Sequence, residues 1–160
     1  MKKYQLYDII IFGSSVKSKD KPQDLDLVLI TKNKNVEMVG DFKAEIKNIK
    51  LDIELLLPEE IYQTRLGYIL ISEGFSIKNN KFISDLIGVK AQKLYIYEIK
   101  ELSQSAKVSF GRGLLLIIKK VQGEKLGAGV VKIPLEMSGK FEDFLDSWNL
   151  KYKVKEYLIM

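Results

Sequence analysis

The chain contains no cysteine and no histidine in 160 residues. Disulfide bonds, zinc sites built from Cys or His, thiol nucleophiles and Ser-His-Asp triads are therefore excluded. Arginine is scarce as well, because Arg65 and Arg112 are the only two and nearly all basic residues are lysines. Any catalysis must depend on carboxylates with a hard metal ion, or on Lys and Tyr.

Long hydrophobic runs are missing too. No stretch approaches the roughly 20 apolar residues that cross a bilayer, and the apolar run after the N-terminus is too short for a signal peptide. We therefore expect a cytoplasmic protein with no membrane partner. With 46% hydrophobic and 29% charged residues, the chain has enough apolar material for a folded core.

The excess of positive charge is confined to the second half of the chain. Residues 1–87 hold 13 basic and 13 acidic residues, whereas residues 88–160 hold 13 basic and 8 acidic residues. The net charge of +5 therefore belongs to residues 88–160. A basic surface permits nucleic-acid binding, but lysine serves solubility equally well.

Apolar patterning in the first half predicts alternating strands and helices. Three short, apolar runs predict strands: 7–12, 24–30 and 50–57. Helical spacing predicts an amphipathic helix over 36–48. A helix is also predicted to open at Pro58 and end at Gly74, followed by a short hairpin over 75–83.

The second half predicts a small α+β domain, with a boundary near residues 84–89. Ser103 is expected to cap a helix over 104–121, in which Gly111 and Gly113 predict a kink or break. The remaining predictions are a strand over 94–99, a glycine-rich, hairpin-like turn over 123–129, a strand over 130–133, a helix over 140–148 and a last strand over 152–159.

Acidic residues alternate with apolar ones at the start of the second predicted strand. Side chains on a strand alternate between faces, so Asp24 and Asp26 share a face about 7 Å apart. Two neighbouring carboxylates repel each other, and a hard divalent ion such as Mg²⁺ offsets that repulsion. Asp52 has the same setting on the third strand and can face them if the two strands are neighbours.

A glycine turn ends the first predicted strand. Gly13 lets a phosphate approach the backbone, and the N–H groups that follow can hold it. Ser14 adds a hydroxyl donor. Three acids near such a turn indicate phosphoryl or nucleotidyl transfer. The alternative interpretation is a half-exposed strand whose acids simply face water.

This combination resembles the DNA polymerase beta-like nucleotidyltransferase superfamily, especially its minimal prokaryotic members. The matching pieces are Phe12-Gly13-Ser14, a gap of nine residues, Asp24-Leu25-Asp26 and the later Asp52. The resemblance covers residues 7–83. The second half is similar to the C-terminal part of uncharacterised archaeal nucleotidyltransferases. This second similarity does not indicate an activity.

The resemblance implies a fold between α/β and α+β. A nucleotidyltransferase core is expected over residues 1–87, as a mixed sheet with helices on one side. A small basic α+β accessory domain is expected over residues 88–160.

The resemblance also implies an activity. An NTP such as ATP would donate a nucleoside monophosphate to a hydroxyl acceptor, which could be an RNA 3′ end, a protein or a small molecule. Two Mg²⁺ or Mn²⁺ ions would be held by Asp24, Asp26 and Asp52. The NTP phosphates would be held by Gly13, Ser14 and Ser15.

Other readings stay open. The same fold could serve a non-catalytic protein that binds nucleotides or nucleic acid, with its acids as relics. An antitoxin-like protein that nucleotidylates a separate partner chain is a further alternative. The sequence leaves the oligomeric state open, a homodimer included.

Four basic residues of the second half are candidates for holding an acceptor phosphate: Lys107, Arg112, Lys119 and Lys120. Spacings of seven and eight residues correspond to about two helical turns, but the two nearby glycines are expected to interrupt this register. The alternative is a solubilising coat of lysines.

Overall fold

The computed structural model describes residues 4–18, 24–47 and 49–160. Within these ranges, no helix combines the length and the apolar character of a membrane-spanning segment. The fold mixes helices and strands and contains two separate sheets. The chain divides into two compact units, Met1–Val16 with Lys21–Val89 and Lys17–Asp20 with Lys90–Met160.

A five-stranded mixed sheet forms the centre of the first unit. Its strands are β1 (Leu6–Phe12), β2 (Leu25–Thr31), β3 (Leu51–Leu56), β4 (Phe75–Ser76) and β5 (Lys81–Phe82), in the order β3-β2-β1-β4-β5. β2 and β3 are parallel, and the other neighbours are antiparallel. The predicted hairpin over 75–83 corresponds to β4 and β5. The helices of this unit are α1 (Val36–Glu45), α2 (Arg65–Glu73) and α3 (Ile83–Leu86).

Helices cover both faces of this sheet, so the prediction of helices on one side is wrong. Leu27 and Leu29 of β2 pack with Met38 of α1 in one apolar cluster. Val28, between them, packs with Leu70 of α2 in a second cluster. Alternate residues of a strand point to opposite faces, so the two helices lie on opposite sides. The crossover between the parallel strands β2 and β3 carries α1, and the chain after β3 returns over the other face.

The helix predicted from Pro58 to Gly74 is two elements. A 3-10 helix covers Pro58–Tyr62, and α2 begins only at Arg65. The Thr64 side chain accepts a hydrogen bond of 3.0 Å from the Gly67 N–H and so caps α2. A Cβ on Gly67 would overlap the backbone of Ile61, so this glycine permits the close approach of the two elements. Apolar periodicity runs through the break and hides it.

The second unit is built as βαββαβ. Its elements are β6 (Lys90–Tyr97), α4 (Gln104–Lys120), β7 (Glu124–Gly127), β8 (Val130–Pro134), α5 (Ser138–Ser147) and β9 (Tyr152–Ile159). The sheet is antiparallel in the order β7-β8-β6-β9, which is the connectivity of ferredoxin-like domains. Most of the predicted turn over 123–129 is therefore strand β7, paired with β8 as a hairpin.

Helix α4 is continuous from Gln104 to Lys120 through both of its glycines, so the predicted break is wrong. Ser103 caps it as expected, accepting a hydrogen bond of 3.3 Å from the Ala106 N–H. A Cβ on Gly113 would lie 3.1 Å from the Phe144 ring of α5. That ring stacks on Phe110 with centroids 5.4 Å apart. Packing against α5 stabilises α4 and outweighs the low helix propensity of glycine.

The two glycines of α4 are expected to respond differently to alanine. A Cβ on Gly111 meets no atom within 4 Å, so Gly111→Ala should raise the free energy of unfolding by about 0.8–1 kcal/mol through helix propensity. Gly113→Ala should gain none of this stability, because the Phe144 ring must move to make room for the added methyl group. Urea unfolding followed by the fluorescence of Trp148, the single tryptophan, measures both. Equal stabilisation by the two variants would contradict this packing.

A lysine is buried in the second unit and held by two carboxylates. Lys93 is 5% exposed, and its Nζ lies 3.1 Å from Glu142 Oε1 and 3.2 Å from Glu156 Oε1. Burial lowers the pKa of Lys93, but the two carboxylates outweigh it and the net shift is upward. The Tyr95 hydroxyl donates a 2.7 Å hydrogen bond to the same Glu142 oxygen. Burial and this hydrogen bond raise the pKa of Tyr95.

Candidate functional site

The site begins where the parallel strands β2 and β3 lie side by side. Asp26 of β2 is the direct register partner of Asp52 of β3, and neighbouring strands are about 4.8 Å apart. The two carboxylates are therefore on the same face, as the alternation predicted. Asp26 is partly buried and Asp52 is exposed. Glu54, the next acid along β3 on that face, is exposed and lies opposite Val28.

Asp24 immediately precedes β2 and has a basic partner that the sequence did not single out. The Lys50 Nζ lies 3.5 Å from Asp24 Oδ2, with 78% of the lysine side chain and 34% of the aspartate side chain exposed. An ion pair so exposed is weak and easily exchanged for another cation. The Leu25 N–H donates to the Lys50 carbonyl at 2.9 Å, which fixes the start of the two strands. In the sequence, the signal that could have identified this ion pair is the position of Lys50 directly before β3, as Asp24 lies directly before β2.

The glycine turn lies against these acids. Gly13 has φ +73°, a conformation that disfavours residues with a Cβ. A Cβ there would overlap Asp26 Oδ2, because Phe12 is the register partner of Asp26. The chain then forms a 3-10 helix, Gly13–Val16, which contains Ser14 and Ser15. The Ser15 hydroxyl donates to the Asp24 carbonyl at 3.1 Å and ties the turn to the start of β2.

The donor set suits a hard divalent ion. Carboxylate oxygens are the ligands that Mg²⁺ and Mn²⁺ prefer, and Mg²⁺ is commonly held by one or two carboxylates together with substrate phosphates. Asp26 and Asp52 supply such a pair, with Asp24 beside them. In the described part of the chain, no three acids converge closely enough to hold a metal ion by themselves. An ion here would therefore also need oxygens from water or from a bound phosphate.

The basic candidates of the second half all lie on α4. Arg112, Lys119 and Lys120 are exposed, whereas Lys107 is partly buried and lines a cavity of the second unit. Because α4 is unbroken, Arg112 and Lys119, seven residues apart, lie on one face of the helix. Lys120 lies about 100° further round the helix. The expected interruption of this register by the glycines does not occur.

Two exposed leucines lie on the same part of α4. Leu115 and Leu116 are 64% and 73% exposed, three and four residues after Arg112, so they are its neighbours on the helix surface. The outer surface of α4 is therefore apolar as well as basic.

Comparisons with protein-family models, with curated proteins and with solved structures gave no match for this chain.

Proposed function

We propose that the first unit is a metal-dependent nucleotidyltransferase that moves a nucleoside monophosphate from an NTP to a hydroxyl acceptor. The observation that carries the proposal is that the acid pair and the glycine turn lie next to each other. Asp26 is the register partner of Asp52 and also packs directly against Gly13. An acid pair for a metal and a glycine turn for phosphate therefore occupy one place in the sheet.

Each residue has a role in this proposal. Asp24, Asp26 and Asp52 would hold Mg²⁺, which neutralises phosphate charge and activates a hydroxyl when it is bound. The backbone of Gly13–Ser15 and the Ser14 hydroxyl would orient the β- and γ-phosphates. Asp52 is exposed and would accept the proton of the acceptor hydroxyl. The acceptor oxygen bonds to the α-phosphorus, the bond to the β-phosphate oxygen breaks, and pyrophosphate leaves.

Transfer can be tested without knowing the acceptor. The full chain is incubated with a cell extract, Mg²⁺ or Mn²⁺, and each of the four NTPs labelled at the α-phosphate. We expect label in one macromolecular or small-molecule fraction, absent when EDTA is added. Nuclease and protease treatment of that fraction would tell an RNA acceptor from a protein acceptor. No label with any NTP in either metal would contradict the proposal.

The ion pair between Lys50 and Asp24 favours a second candidate, a non-catalytic nucleotide-binding protein. In that case lysine permanently takes the place of the metal. Calorimetric titration with Mg²⁺ and a non-hydrolysable ATP analogue distinguishes the two. Binding of the nucleotide that is unchanged by EDTA would favour the non-catalytic protein. Metal-dependent binding would favour the enzyme, with an RNA, a small molecule or a separate protein chain as acceptor.

The second unit is proposed to hold the phosphates of an RNA acceptor through its exposed basic residues. Changing Arg112, Lys119 and Lys120 to glutamine should reduce the steepness of the slope of log affinity against log salt concentration by about 2. Each phosphate contact with single-stranded RNA contributes about 0.7 to this slope. Filter binding of single-stranded RNA measures the slope.

A matched control separates phosphate contacts from general charge. Glutamine at Lys151, Lys153 and Lys155 removes the same charge from other exposed positions of the second unit. Equal slopes in the two triple variants would assign RNA attraction to the overall lysine coat. RNA binding that is undetectable at low salt would remove this role altogether.

A further inference from the structure

The second unit contains a cavity that the proposed transfer reaction does not use. It has a volume of about 470 Å³ and lies between the N-terminal half of α4, the end of β6 and the turn between β7 and β8. This volume is in the range of small-molecule sites, roughly 300–1,000 Å³. Its apolar wall includes Ile99, Phe110 and Leu114. A ligand with an apolar body can therefore be received here.

The charged groups around the cavity are mostly positive. Lys100, Lys107 and Lys125 line it together with one acid, Glu98. Glu98 is engaged by Lys100, whose Nζ lies 3.0 Å from Glu98 Oε2. Among residues 4–18, 24–47 and 49–160, no carboxylate lies within 4.0 Å of the amines of Lys107 or Lys125. Two ammonium groups beside an apolar wall match an anionic ligand.

A glycine keeps part of this cavity open. Gly111 lines it and is in the middle of α4, where glycine costs about 1 kcal/mol of helix stability relative to alanine. Nothing lies within 4 Å of the position that its Cβ would take. Local packing therefore gives no reason for this glycine, in contrast to Gly113. Because Gly111 lines the cavity, a larger side chain at this position is expected to reduce its volume.

We propose that this cavity binds a small organic anion, with its apolar body against Phe110 and Leu114 and its carboxylate or phosphate group at Lys107 and Lys125. The site is formed by residues of the second unit, and the proposal stands whether or not the first unit transfers nucleotides. The shared chemistry is one anionic group on a compact apolar body. Carboxylates and phosphate monoesters both have it.

Naphthalene compounds test whether binding requires a negative charge, and they distinguish a carboxylate ligand from a phosphate monoester. Calorimetric titration of the full chain in EDTA is carried out with 2-naphthoate, 2-naphthyl phosphate and neutral 2-naphthylmethanol. At least one anion should bind about tenfold or more tighter than the alcohol, and the tighter anion identifies the class. In amide NMR spectra the signals of Gly111, Ala128 and Gly129 should shift. Equal binding of the neutral compound, or no binding of either anion, would overturn the proposal.

Two kinds of variant locate the site. Lys107→Gln with Lys125→Gln should weaken anion binding about tenfold, whereas Lys151→Gln with Lys155→Gln, an equal loss of charge elsewhere, should change it less than about twofold. Gly111→Leu should place a side chain in part of the cavity and weaken binding about tenfold while α4 stays folded, as circular dichroism can check. Binding that survives both Gly111→Leu and the Lys107/Lys125 change rules the cavity out. Asp24→Asn with Asp26→Asn should leave binding of the anion unchanged, so this result does not depend on whether the first unit transfers nucleotides.

Discussion

Replacing Asp24 and Asp26 together by asparagine is expected to reduce nucleotidyl transfer by about a thousandfold or more. Asparagine keeps the shape of each side chain but removes the charge that would hold a divalent ion. Initial rates with α-labelled NTP measure the loss. Protein stability should change little, because the exposed ion pair between Lys50 and Asp24 is weak and its loss is offset by relief of the repulsion between neighbouring acids. Loss of turnover with an intact fold is therefore the expected signature.

Glu54→Gln provides a matched control for this double variant. Glu54 is on the same face of β3, two residues beyond Asp52, but it lies opposite Val28 rather than opposite an acid. Its removal should change turnover less than about threefold. A comparable loss for Glu54→Gln would mean that general negative charge matters and not a specific metal site. Unchanged turnover in the Asp24/Asp26 double variant would disprove the site.

Glu142→Ala is expected to destabilise the second unit strongly. It removes the acceptor of the Tyr95 hydroxyl and leaves buried Lys93 with only Glu156. Breaking a buried ion pair costs about 3–5 kcal/mol. We expect about 3 kcal/mol, because one carboxylate partner remains. Urea unfolding measured by Trp148 fluorescence reports on this unit, in whose core Trp148 packs.

Glu156→Ala is the control for this network, since the Glu156 side chain is 41% exposed and its loss should cost less than about 1 kcal/mol. The pH dependence is a second readout. The pKa of Lys93 is raised above 10.5 in the folded chain, so its stabilisation is complete below pH 10.5 and is lost as the pH rises further. Glu142→Ala should weaken this alkaline dependence. A similar loss of stability in the two glutamate variants would contradict the assignment of Glu142 as the main partner of Lys93.

Local patterns allowed much of the first unit to be predicted. Alternation placed Asp24, Asp26 and Asp52 on one face, and the parallel register of β2 and β3 then set Asp26 opposite Asp52. The side of the sheet that each helix covers could not be predicted in the same way. That choice depends on the direction of the chain between strands and on two apolar clusters that form only in three dimensions.

The second unit shows a different limit. The predicted strand over 94–99 missed the beginning of β6 at Lys90 because Gln92 and Lys93 are polar. Lys93 occupies an inward position next to Tyr95, and its acidic partner Glu142 is 49 residues away in the chain. Hydrophobic periodicity cannot identify a buried charge whose partner is so distant. Of the three cavity lysines, Lys107 was singled out from the sequence as a candidate for an acceptor phosphate, whereas Lys100 and Lys125 were missed because they come from a loop and a strand that only the fold brings to α4.

The pairing of β6 with β9 has a consequence for the order in which the chain is made. All eight residues of β6 pair with β9, from Lys90 with Ile159 to Tyr97 with Tyr152. Synthesis proceeds from the N-terminus at about 5–20 residues per second, so β6 is complete several seconds before its partner exists. Contacts so distant in sequence also form slowly. During translation, one hydrogen-bonding edge of β6 stays open until residue 159 has emerged, and in this interval the nascent chain is exposed to pairing with another strand.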